Sequence, residues 1–133
     1  MTQADFSLLD DFETMQLSAP KFHHADHVRV AFAMLQKYEF ADACSRYATT
    51  IKAMADAVGV PDKYNATITF AFMSVIAERK AQTICETADD FLAVNPDLLR
   101  KDVLSGWYSK DRMTSELARA QFLLPDAAHP SRA

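Results

Sequence analysis

Three of the chain's four histidines, His23, His24 and His27, fall within five positions in "FHHADHVRVAFAML", just ahead of an apolar run. Imidazole changes charge near neutral pH, and its neutral form accepts a proton or binds a metal. A second polar group, Tyr64, Asn65, Thr67 and Thr69, opens the segment "KYNATITFAFM". Its phenol, amide and hydroxyls are suited to orienting a carbonyl or carboxylate by hydrogen bonds. Whether the two groups can act together depends on the elements that carry them.

Residues 25–38 show one apolar stripe at three- and four-residue spacing, Val28, Ala31, Phe32, Leu35 and Tyr38, which predicts a helix. Four positions back from Val28 and Ala31 stand His24 and His27, which therefore share the core-facing side. His23 lies about 100° around the helix from His24 and faces solvent. First-turn side chains lean toward the helix start, so His24 and His27 point at the bundle's end. A second helix is predicted over 40–58, closed by Gly59 and Pro61. The third, 62–85 with Asp62 as N-cap, contains "TITFAFMSVIA", apolar on nearly every side, as expected of a central helix. With one helix between them, the first and third run roughly parallel. Their starts then lie at the same end, where His24, His27, Tyr64 and Asn65 can converge on a cavity between helices.

The chemistry this predicts is acid–base catalysis by His24 or His27 on a small polar metabolite. Tyr64, Asn65, Thr67 and Thr69 would hold the substrate. No nucleotide loop, flavin fingerprint or nucleophile elbow occurs, which favours a lyase- or isomerase-type proton transfer without an organic cofactor. A divalent metal is the alternative. His23 and His27 have the i, i+4 spacing of two ligands, without the glutamate of an HExxH motif, while a site on His24 and His27 would need a third ligand, from Glu13, Glu78 or Asp26. Arg29, Glu78 and Arg79 are reserve partners for substrate charge. The bland alternative makes the histidines buried groups bonded to carbonyls or carboxylates, and the protein a non-catalytic interaction module. Trp107, Tyr108 and the six methionines read as packing.

The 133 residues are half hydrophobic and include only two glycines, Gly59 and Gly106, so an all-α single-domain helical bundle spanning 1–133 is expected. It comprises three long helices, short C-terminal helices capped at Thr87, Asn95 with Pro96, and Ser115, and an N-terminal arm over 1–20. That arm is docked on the body or swapped within a homodimer. Residues 126–133 read as a frayed tail. A net charge of −4 without a basic stripe argues against nucleic acid. The acidic start "MTQADFSLLDDFETMQ" is unlike a secretory signal, and no apolar run reaches the roughly 18 residues of a membrane span. A cytoplasmic protein follows, with Cys44 and Cys85 as reduced thiols inside helices.

Three motifs in order, "FHHADH", "KYNATIT" and "SELAR" ahead of Pro125-Asp126, resemble a family of small, mostly uncharacterised bacterial all-helical proteins. Its members show a Phe-x-His-x-x-His helix start, a Lys-Tyr-x-x-Thr-x-Thr third helix and a closing Ser-x-x-Ala-Arg. The likeness covers residues 22–126. It implies that His24, His27, Tyr64, Thr67 and Thr69 are recurrent polar positions, and that Asn65 stands where relatives carry a histidine.

Overall fold

The computed structural model describes residues 1–18 and 22–127. Seven α-helices occur among them: α1 (Gln3–Glu13), α2 (His24–Lys37), α3 (Phe40–Ala57), α4 (Ala66–Gln82), α5 (Ala88–Val94), α6 (Lys110–Met113) and α7 (Glu116–Ala120). Three 3-10 turns, Pro61–Lys63, Pro96–Leu99 and Val103–Gly106, link them, and no strand is present among the described residues. The chain is an all-α, single-domain bundle. No helix among those residues is long and apolar enough to cross a membrane.

The hub is α2, and it is buried more completely than its stripe predicts. Val28 and every residue of the segment Val30, Ala31, Phe32, Ala33 and Met34 are at most 1% exposed. The sequence "VRVAFAML" is apolar on more than one face, so α2 packs on α1 and α5 as well as on α3 and α4. The arm is α1, docked on α2 and α3 through Leu9 and Phe12. Thr2 caps it, and the buried Asp5 carboxylate accepts from the Thr2 and Ala88 amides, tying the arm to the start of α5.

The third helix starts later than predicted. Asp62 falls in the 3-10 turn, and Asn65 is the N-cap, its side-chain oxygen accepting from the Ile68 amide at 2.9 Å. Pro61 fixes a turn that a continuous helix could not pass. Gly59, at φ +76°, takes the left-handed position that ends α3. Helix α4 stops at Gln82, so Cys85 lies in a connection and not inside a helix, while Cys44 is buried in α3. Both are free thiols, and burial raises Cys44 above its ordinary pKa.

Thr87 and Ser115 cap α5 and α7 as expected. Asn95 does not cap forward. Its amide donates back to the Phe91 carbonyl and its oxygen accepts from Arg79. Trp107 and Tyr108 pack on the core, the Tyr108 hydroxyl donating to Leu123 O at 2.8 Å. Asp126 and Ala127 depart from the frayed reading. Ser109 donates through both its amide and its hydroxyl to Asp126, and Ala127 N–H donates to the Trp107 carbonyl. The predicted break at Ala19 and Pro20, His129 and the remainder of the tail lie outside the described residues.

Candidate functional site

The first turns of α2 and α4 meet at one end of the bundle, around an open-mouthed cavity of about 270 Å³. His24 and His27 line it from α2, Asn65, Ile68 and Thr69 from α4, and Tyr64 from the residue before the cap. The two helix starts thus bring five of the six proposed catalytic and substrate-binding residues to the walls of one cavity. The sixth, Thr67, is elsewhere. It is fully buried, its hydroxyl donating to Gln121 O at 2.7 Å and accepting from Leu123 N at 2.9 Å. Its alternation with Thr69 along a helix, two residues apart, turns the two hydroxyls to different faces.

Asn65 touches the cavity but has little left to offer. While its oxygen caps α4, its amide donates to the Met113 carbonyl at 2.6 Å. Both polar ends therefore hold backbone together. Thr69 donates its hydroxyl to Asn65 O. Burial pushes the Tyr64 phenol above its ordinary pKa, with the Thr69 hydroxyl pulling the other way.

The imidazoles are held differently from each other. His24 Nε2 lies 2.8 Å from Leu98 O, and a carbonyl only accepts, so this nitrogen carries the proton. The other ring nitrogen, Nδ1, has no hydrogen-bond partner among the described residues. His27 Nδ1 lies 3.1 Å from the Tyr47 hydroxyl. Tyr47 is buried in the core, and desolvation drives its pKa far above the usual phenol value. Its O–H has no other partner among the described residues, and a buried unpaired donor costs about 1–3 kcal/mol. The phenol therefore donates to Nδ1, leaving the His27 proton on Nε2. Burial, then the nearby His24, lowers the His27 pKa to about 4, with Asp26 acting in the opposite sense. At neutral pH His27 is an uncharged donor.

The two rings sit 6.5 Å apart, centroid to centroid, against an aromatic wall. Phe22 packs 4.1 Å from His27, and Phe72 lies 5.8 Å from His24. Tyr47 stacks between Phe72 and Phe12 of the docked arm. The arm thus forms the back support of the site.

His23 is exposed at the N-cap of α2, its amide donating to Asp26. Among the described residues no group of three or more His, Cys, Asp or Glu side chains is placed to hold a metal ion. The suggested carboxylates are engaged or apart: Glu13 accepts from Tyr38, Asp26 pairs with Arg29, and Glu78 is exposed on α4. Arg29 and Arg79 are likewise held, by Asp26 and Asp89 and by Asp97.

Sequence reasoning missed Tyr47, Lys63, Lys101 and the Leu98 carbonyl. Tyr47 falls inside the predicted second helix, where a single buried aromatic side chain signals packing. Lys63 is the first residue of the Lys-Tyr motif, a signal within reach. Nothing local marks Lys101 or Leu98, which arrive from turns more than sixty residues after α2 begins. Comparison with protein-family models, with curated proteins and with solved structures finds no match to this chain.

Proposed function

We propose that the protein is a small enzyme acting on a small polar metabolite by histidine acid–base chemistry, of the lyase or isomerase type, in the cavity at the start of α2 and α4. What supports it is that the two imidazoles lining the cavity are held by different partners, His24 by the Leu98 carbonyl and His27 by the buried Tyr47 hydroxyl. In this reading His27 offers a proton at Nε2, and His24, with a lone pair at Nδ1, is the base. It takes a proton from a carbon or oxygen of the substrate and, as imidazolium, returns it to another atom. His27, kept neutral by burial, donates a hydrogen bond to the oxygen on which negative charge develops. Tyr64 and Thr69 orient the substrate. Asn65 and Thr67 act on the protein alone. The metal-dependent variant lacks a ligand set among the described residues.

Proton transfer of this kind exchanges substrate hydrogen with solvent. Incubated in D₂O with a pool of small carboxylic and hydroxy acids, the protein is expected to place deuterium in one of them, detected by mass spectrometry. His24→Ala should lose that exchange while its Tm moves by only a few degrees. Exchange at the wild-type rate in His24→Ala, or none with the intact protein, overturns the assignment.

A second reading, a non-catalytic interaction module, draws on exposed apolar side chains near the C-terminal segment, Leu117, Phe122 and Leu124. It predicts no exchange in the same assay.

A further inference from the structure

The cavity of the proposed site does not stand alone. A second one, of about 410 Å³, adjoins it and shares Ile51, Lys63, Tyr64 and His27 as a partition. Beyond that partition its walls are Phe22, Met54, Ala55, Val58 and Val60, all apolar side chains. Both lobes are largely apolar, but the polar side chains His24, Asn65, Thr69 and Lys101 belong to the first alone.

Charge is distributed as unevenly. The chain holds 18 Asp and Glu against 14 Lys and Arg, yet among the described residues neither lobe has a carboxylate in its walls. Lys63 lines both, Lys101 lines the first, and neither lysine makes an ion pair among the described residues. The starts of the fourteen-residue α2 and the seventeen-residue α4 face the same lobe, adding the positive ends of two helix dipoles. Asp26, on the first turn of α2, stays out of the walls and is paired with Arg29. A cleft lined by one sign of charge concentrates ligands of the other.

We infer that the ligand is an amphipathic monocarboxylate, its carboxylate held in the first lobe near Lys63 and Lys101 and its hydrocarbon body in the second lobe past Tyr64. This rests on the acid–base reading for the location of the head group. It adds the sign of the ligand's charge and the presence of a tail. Lys63 and Lys101 are exposed at the mouth, so they draw the anion in, whereas Tyr64 and Ile51 decide how a chain passes between the lobes.

Calorimetry and imidazole NMR with octanoate, butanoate and octylammonium test it on the full chain. Octanoate should bind roughly tenfold or more tightly than butanoate, because each buried methylene adds to affinity, and should shift the His24 and His27 ring signals. Octylammonium should not bind. The double variant Lys63→Glu/Lys101→Glu, both at exposed positions, should keep its Tm and lose at least tenfold in octanoate affinity. Ala55→Phe should weaken octanoate and spare butanoate. The inference is overturned if octylammonium binds as well as octanoate, if the charge reversal changes nothing, or if chain length has no effect. Should butanoate shift the rings and octanoate bind no better, the tail fails and the acid–base site stands. Should octanoate bind as expected while His24→Ala still exchanges deuterium, the catalytic reading fails and the amphiphile site stands.

Discussion

Helix α2 carries a polar cluster at each end, and the two are built on opposite principles. At its C-terminal end Glu13 accepts from the Tyr38 hydroxyl at 2.8 Å, lies 3.7 Å from both Lys37 and Arg46, and Arg46 covers the Tyr38 ring. Asp42 takes the remaining side of Arg46. Opposite charges meet there, at a surface open to water, and nearly every group has a partner. At the N-terminal end Asp26 is paired with Arg29 away from the cavity, the groups that line the cavity are neutral or positive, and two ring nitrogens have no partner among the described residues. A cluster whose members satisfy one another is a clasp. A cluster that ends in unmatched donors and acceptors beside a void is prepared for something else.

If the contrast holds, acid should strike the N-terminal end hardest. An unfolded imidazole takes up its proton near pH 6.5, whereas folded His27 resists until about pH 4. Between those values the unfolded chain binds more protons, so stability should rise with pH from about 4 to 6.5 and then level off. The whole effect is about 3 kcal/mol. Urea unfolding across that range checks it, and His27→Gln should remove most of the slope. An unchanged slope in the variant would assign the acid sensitivity to carboxylates instead.

A smaller loss, about 1–3 kcal/mol, is expected from Thr67→Val, which leaves Leu123 N–H buried without its acceptor. Hydrogen exchange should quicken at the Leu123 amide, while octanoate affinity stays at the wild-type value, because Thr67 lines neither lobe. A drop in affinity would return Thr67 to the site. The mildest change is expected at the clasp. Glu13→Gln should cost under about 1 kcal/mol and less still at high salt, since half-exposed ion pairs are screened and the amide still accepts from Tyr38. Were this substitution to match the His27 effect, the two ends of α2 would not differ as described.

The family likeness read from "FHHADH", "KYNATIT" and "SELAR" stands as a proposal of the sequence alone. What its motifs do in this fold is concrete. The first supplies the cavity's imidazoles, the second its α4 wall, and in the third Ser115 caps α7 by accepting from the Ala118 amide.

Much of the bundle was legible from local pattern. Scarce glycine, three long apolar runs and the residues that stop them, Gly59 and Pro61, determined an all-α chain and the rotation of each helix, because helical period and backbone sterics act within a few residues. That rotation was enough to turn His24 and His27 inward. Their division of labour was not legible. It depends on Leu98 O meeting His24 from a distant turn, on Tyr47 reaching His27 across a helix pair, and on Met113, Gln121 and Leu123 claiming Asn65 and Thr67. Hydrogen-bond partners far apart in sequence are chosen by packing, and packing decides which polar atoms are used up and which remain for a ligand.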